Sequence, residues 1–377
     1  MINHGAGIQK NQDKRLGERN QLRKGVKPLK DSHLLILNYE MNLESQVFAH
    51  QIGVVNKLSK HFQKVTVLTG KALNYQVNSN VQVISSGWQY DRKLSNISRL
   101  VLIFCRIIFS RNVDIVFSHM TSVQSAITSP LTRILGIKHY LWYAHASNNL
   151  ALKISYLFTD KILTATSGSC PIKKSKVNII GHSVDSQIFK KKNNISYPVK
   201  NFIHIGRFDP SKNIDGIIQV IHKTRNIRKD LTLQIVGEPL SKEGTDYQFT
   251  VKQKYFNSQH FNWLDFQKAV TFDQVPKLLY NSDGFIHSFN GSLDKAIIEA
   301  TLVGIPVVTI NKEFTNVFGC WSKKHKYSQV SLEEELEALL TFDQNELEDE
   351  IQRRYKIALG NFEIQGWINK VVTILQA

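Results

Sequence analysis

Two stretches in the second half of the chain combine residue types that can hold a phosphate. In IGRFDPSKN (205–213) an apolar run ends at Gly206, and Arg207 and Lys212 follow in the turn before a helix expected near Asn213. Two cations beside a helix N-terminus make a site for a diphosphate. The same letters also fit an ordinary strand-turn-helix with surface cations. In SFNGSLDKAIIEATLVGIPVV (288–308), Gly291 lets the backbone approach a ligand. Ser292 and Leu293 are expected to open a helix, so their unpaired N–H groups can face a phosphate. Glu299 lies two turns further on, on the face of Lys295 and Leu302, where a carboxylate can accept two ribose hydroxyls. The competing reading is an amphipathic helix capped by Ser292 with a solvated Glu299. His119 and His145 each close an apolar run in the first half, a place where a lone histidine is ordinarily structural.

Such residues need elements to position them. Short apolar runs alternate with helical periodicity from His33 onward. Strands are expected at 34–37, 65–69, 81–85, 114–119, 139–145, 161–166 and 176–181, with helices over 45–62, 94–110, 121–135 and 147–158. After a basic, polar linker at 190–198 the pattern restarts. Strands are expected at 202–207, 231–237, 269–272, 284–288 and 306–310. Helices are expected over 213–226, 275–282, 294–304, 331–341, 346–358 and 362–376. The alternation implies an α/β protein of two doubly wound, Rossmann-like domains facing a cleft. The expected division is a basic tail over 1–32 without ordered structure, an N-terminal domain over 33–197, a C-terminal domain over 198–361, and a final helix over 362–377 that packs back on the N-terminal domain. In open parallel sheets ligands bind at the carboxyl ends of the strands, which is where both phosphate-type stretches fall.

The chain has 377 residues and a formal net charge of +17. Residues 1–32 hold eight basic and three acidic residues, 33–197 nineteen and six, and 198–377 twenty-one and twenty-two. All the excess positive charge therefore lies in the first 197 residues, which points to an anionic partner for that half. Zinc-type spacing, RNP-type aromatics and a basic recognition helix are missing from the sequence, so nucleic acid is the weaker reading of the charge. Cys105, Cys170 and Cys320 are far apart and fit a reducing compartment. No apolar run is long enough to span a bilayer and no secretory leader is evident, so a cytoplasmic protein is expected. Residues 94–110 mix a broad apolar surface with Arg99 and Arg106. They read equally as a membrane-surface helix or as a domain helix with snorkelling arginines.

GRFDPSKN, followed about 80 residues later by GSLDKAIIEATLVGIPVV, resembles the donor-site motif pair of family 4 glycosyltransferases. LQIVGEP (233–239), NYEMNLESQVFAHQ (38–51), LWYAH (141–145) and IIGHSVDSQIF (179–189) are similar to further stretches of that family. The resemblance covers about residues 34–377 and implies the GT-B fold and retaining transfer of a hexose-type sugar from a UDP- or GDP-sugar. By the same resemblance, Arg207 and Lys212 bind the donor diphosphate, and Ser292 and Leu293 give it backbone donors. Glu299 holds the ribose and His145 faces the donor sugar, with Gly206 and Gly237 lying in the donor-side motifs. The implied catalytic set is His145, Arg207, Lys212 and Glu299.

The sequence departs from the family in two places. Gly291 stands where the family has a first glutamate, and Asn290 or Asp294 is expected to substitute partly for it. The first βα turn, NYEMNLES, lacks glycine, and Glu40 and Glu44 there read as acceptor contacts or as loop residues. No D-x-D motif occurs outside the acidic run with EDE (348–350), so neither a metal nor a cofactor is expected. The resemblance also implies a glycolipid or polysaccharide acceptor and peripheral contact with the anionic inner membrane face. A GT-B epimerase or phosphorylase, an inactive paralogue and a nucleic-acid-binding protein remain as alternatives.

Overall fold

The computed structural model describes residues 27–88, 93–256, 261–323 and 330–377. Most of the tail expected over 1–32 lies outside the described residues. Two all-parallel sheets organise the chain. The first comprises β1 (His33–Met41), β2 (Lys64–Ala72), β3 (Val81–Ser85), β4 (Ile115–His119), β5 (Lys138–Trp142), β6 (Lys161–Thr164) and β7 (Val177–Ile179), in the order β3-β2-β1-β4-β5-β6-β7. The second comprises β8 (Asn201–Ile205), β9 (Thr232–Val236), β10 (Leu264–Gln267), β11 (Gly284–His287) and β12 (Val307–Thr309), in the order β10-β9-β8-β11-β12. In both, the order reverses beside the first strand, which opens a crevice at the strands' carboxyl ends.

The central strands are apolar on both faces because helices cover both. Leu34 and Ile36 of β1 enter one core with Val55 and Leu58 of helix His50–Ser59. Leu35 and Leu37 enter another with Leu100, Phe104 and Ile107 of helix Lys93–Ser110. That helix therefore buries one face, while Leu102, Arg106 and Phe109 stay exposed on the other. The chain ends by returning to the first lobe. Helix Gln344–Phe362 stops, Glu363 caps the next helix by accepting from the N–H groups of Gln365 and Gly366, and helix Ile364–Gln376 follows. Trp367 of this last helix meets Trp142 of β5 at right angles, with ring centroids 5.3 Å apart.

Three elements differ from the sequence expectation. The strand placed at 269–272 is Leu264–Gln267, an edge strand beside β9. Its half-exposed alternation carries Asp265 and hides its period, while AVTF is an apolar loop leading into the capped turn Phe272–Gln274. Helix Lys242–Phe256 was not anticipated, because few of its residues are apolar. It is anchored by Tyr255, whose hydroxyl donates to Asp215 at 2.5 Å, and by Tyr247, whose hydroxyl accepts from the Asp215 N–H at 3.1 Å. Helix Lys312–Phe318, capped by Asn311, is also additional.

Candidate active site

The site is built where β8, β9 and β11 end, facing the first lobe. β8 stops at Ile205, and Gly206 and Gly237 pack backbone to backbone there. A Cβ on Gly237 would collide with the Gly206 carbonyl oxygen, so only glycine fits. Arg207 follows with an exposed side chain. Asp209 caps the turn Pro210–Lys212, its Oδ1 accepting from the Ser211 N–H at 3.0 Å. Hydrogen bonds from Ser211, with help from Arg207 and Lys212, hold the Asp209 carboxyl below its usual range. Asn213 then takes a left-handed conformation, with φ of 47°, and caps helix Ile214–Thr224.

Lys212 differs from the expectation of a free phosphate cation. It is buried, its Nζ pairs with the Asp294 carboxylate, and it lies 4.1 Å from the centroid of the Phe289 ring. His287 Nε2 lies 3.2 Å from the same Asp294 oxygen. Burial alone would raise the Asp294 carboxyl, but Lys212 and His287 override it and hold it well below the usual carboxylate range.

The loop 288–294 also differs from the expectation. The helix begins at Lys295, with Asp294 as its N-cap, not at Ser292. Leu293 is buried, and its N–H donates to Ser169 Oγ of the first lobe at 3.2 Å. Its carbonyl faces His182 Nε2 of the same lobe at 3.0 Å. Leu293 is thus a clasp between lobes, and its N–H is already spent. Ser292 is buried, and its carbonyl accepts from Asn311 Nδ2 at 3.2 Å. Asn290 is exposed, and its Oδ1 accepts from the Lys312 N–H at 3.2 Å. At Gly291 a Cβ would strike the Phe289 ring, so an aromatic face fills the space a side chain at 291 would use.

Glu299 is buried in helix Lys295–Val303, one turn from Lys295. Burial pushes its carboxyl up against the pull of Lys295, and burial pushes the Lys295 ammonium down. Lys295 sits 5.8 Å from the Phe272 ring centroid, and its charge adds to burial in lowering His50, His119 and His182 of the first lobe. His145 lies three residues beyond the end of β5, exposed toward the cleft. Burial by its neighbours and the charge of Arg207 lower its pKa, while Asp294 pulls the other way. His119 is instead a core residue: burial takes it down to about 3, and its ring packs 6.0 Å from that of Trp367.

The structure therefore brings Gly206 against Gly237 and Lys212 against Asp294, with Phe289 beside Lys212 and Gly291, and sets His145 within electrostatic reach of Arg207 and Asp294. Ser292 is braced through its carbonyl by Asn311, and Leu293 is clasped to the first lobe. Sequence reading missed His182, His287 and Ser169. His182 stands inside IIGHSVDSQIF without drawing notice, His287 reads as a strand residue, and Ser169 carries no signal. Strand β1 runs on to Met41, so the glycine-free turn starts at Asn42 rather than Asn38. Glu40 accepts from Ser45 Oγ at 2.8 Å and Glu44 from Asn74 Nδ2 at 3.2 Å, so both tie the loop together. Among the described residues no group of three or more His, Cys, Asp or Glu is placed to hold a metal ion, and no helix is long and apolar enough to cross a membrane.

Comparison with known proteins follows the same division. No curated protein sequence matches the chain. Solved structures do. HepE of Anabaena in complex with UDP and glucose superposes with a TM-score of 0.68 at 13% identity, over 91% of this chain and 99% of that one. A glycosyltransferase from Rickettsia africae ESF-5 gives 0.68 at 13% identity, over 91% and 97%. WaaG, a glycosyltransferase involved in lipopolysaccharide biosynthesis, gives 0.61 at 12% identity, over 90% and 99%. The chain thus has the GT-B fold, and its residues 185–354, which carry the Arg207–Lys212 turn and the 288–299 loop and helix, match the family model of glycosyl transferases group 1.

Proposed function

We propose that this protein is a retaining glycosyltransferase. It moves a hexose-type sugar from a UDP- or GDP-sugar to a lipid-linked or polysaccharide acceptor, without a metal ion. The observation that supports the reading is the Lys212–Asp294 pair beside Arg207 at the carboxyl edge of the second sheet of a GT-B fold, with His145 of the first lobe within electrostatic reach of Arg207 and Asp294. Arg207 and Lys212 meet the diphosphate, Glu299 takes the ribose, and His145 faces the sugar. As the sugar–phosphate bond breaks, negative charge grows on the leaving diphosphate, and cations already fixed there stabilise that charge more than the ground state. The acceptor hydroxyl attacks from the leaving-group side, and no side chain is assigned as a covalent nucleophile. The HepE complex with UDP and glucose supports a UDP-sugar as the first donor to try.

The test is a donor screen with mass detection, run on wild type beside Glu299→Ala and Lys212→Ala. The expected result is one sugar added to an acceptor by wild type, with turnover falling by about 100-fold or more in each variant. Unchanged turnover in both variants removes the site assignment, and free sugar or sugar phosphate with no acceptor gaining mass removes the transferase reading.

The acceptor side and location belong to the same proposal. The basic first lobe, with Leu102 and Phe109 exposed beside Arg106, rests on an anionic membrane face at the inner, cytoplasmic side. Vesicles containing anionic lipid should sediment the protein and neutral vesicles should not; equal partitioning would remove this part. A second reading, a sugar-nucleotide-binding protein without turnover, is favoured by one observation: Phe289 rather than a carboxylate fills the space at 291. Donor binding with no product across the screen would support it.

A further inference from the structure

The phosphate site already contains an anion of its own. Asp294 interrupts the loop that should expose N–H groups, and its carboxylate pairs with the buried Lys212. Its other partner is fixed by a chain of hydrogen bonds. An ionised Asp294 carboxylate can only accept, so the Nε2 of His287 that faces it carries the ring's proton, and Nδ1 then accepts from the Thr309 hydroxyl 3.0 Å away, whose oxygen also accepts from the Asn311 N–H at 3.1 Å. The remaining titratable groups around Asp294 are His204 from β8, His145 and His182 from the first lobe, and Lys295 and Glu299 from its own helix. Burial lowers all three histidines, and Lys295 makes no ion pair with Asp294 but feels the charges of Glu299 and Asp185. Lys212 is therefore the cation in direct contact with Asp294.

A diphosphate arriving at Lys212 brings a second anion beside Asp294. The largely shielded ammonium cannot neutralise both, and a partly buried carboxylate left with His287 as its partner is drawn toward taking a proton. We propose that Asp294 is the resident anion of the phosphate site, and that a nucleoside diphosphate sugar takes Lys212 from it as the Asp294–His287 pair accepts one proton from solvent. The proton comes from the buffer and ends on the carboxylate or on the imidazole bonded to it, so no other co-reactant is needed. The inference rests on the donor-site reading above and adds a positioning and tuning role for Asp294. Because the bound state holds one more proton than the free state, donor affinity rises as pH falls.

The test is calorimetric titration of UDP-glucose and GDP-mannose, whose diphosphates keep a fixed charge between about pH 6 and about pH 8.5. Each is run in two buffers of contrasting ionisation enthalpy. Wild type should take up about one proton per donor bound near neutral pH, with Kd falling by up to about tenfold per pH unit of acidification. Asp294→Asn should take up none, lose the pH dependence, and bind about tenfold tighter than wild type near pH 8. A residue that merely shaped the loop would leave proton stoichiometry unchanged. Wild-type binding without proton uptake, or undiminished uptake in Asp294→Asn, overturns the inference while leaving the donor site standing. Should the variant not fold, the wild-type stoichiometry alone decides. If neither sugar nucleotide binds wild type, the donor-site reading falls and this inference falls with it.

Discussion

Separating the structural from the chemical contribution of Lys212 calls for a double-mutant cycle with Asp294. The two side chains are 10% and 24% exposed, so their pairing is largely shielded from water. Removing one partner of a buried pair typically costs about 3–5 kcal/mol, because the other charge is left uncompensated. Asp294 keeps His287 and some solvent, so Lys212→Ala should cost about 2–3 kcal/mol of stability. Asp294→Asn leaves Lys212 over the Phe289 ring and should cost about 1–2 kcal/mol. The double variant leaves no orphan charge and should cost about 2 kcal/mol, which gives a coupling of about 1–3 kcal/mol. An exposed ion pair would give about 0.2–1 kcal/mol. The assay is urea unfolding of all four proteins near pH 7.5, read at the transition midpoint. The sign with pH follows from the lowered Asp294 pKa. The pair's contribution is complete above the ordinary aspartate range and is lost as pH falls through the lowered value, so the coupling should vanish in strong acid. A coupling below about 0.5 kcal/mol at pH 7.5 would refute the buried pair.

Two further outcomes follow from burial. His119, His139 and His204 are lowered to about 3 and His182 to about 4, all chiefly by burial. Between those values and 6.5 the unfolded chain binds more protons than the folded one, so each histidine removes up to about 1.4 kcal/mol per pH unit on acidification. A thermal melt series should therefore show a steep loss of stability below about pH 6, and a melting temperature flat from there to about pH 4 would contradict it. Gly237→Ala should cost about 2–4 kcal/mol, since its new Cβ meets the Gly206 carbonyl rather than a movable side chain. A melting temperature within a degree or so of wild type would contradict that packing.

The sequence revealed most where one signal was enough. Parallel strands buried on both faces read as continuous apolar runs, so LLIL, VTVLT and GFIHS stood out, and the two-lobe architecture followed. Elements that depend on tertiary partners were harder to see. Helix Lys242–Phe256 is polar nearly throughout, and it is held by Tyr247 and Tyr255 reaching Asp215, a pairing between residues 32 and 40 positions apart. The edge strand Leu264–Gln267 is half exposed and lacks a long apolar run. At the site, types and spacing located Arg207, Lys212, Gly291 and Glu299, but not their commitments. Nothing local says that Lys212 meets Asp294, 82 residues away, or that the Leu293 N–H is claimed by Ser169, 124 residues away. The first contact arises when β8 and β11 come together in the second sheet, and the second when the two lobes meet.

The central claim, a sugar-nucleotide site centred on Lys212 at the carboxyl edge of the second sheet, is tested most directly by equilibrium binding. UDP-glucose and GDP-mannose are titrated into wild type and into Lys212→Ala under identical conditions. The structure predicts that one of the two binds wild type at a single site and that Lys212→Ala weakens it by about tenfold or more. Equal affinity of the two proteins for the donor that binds would contradict the account.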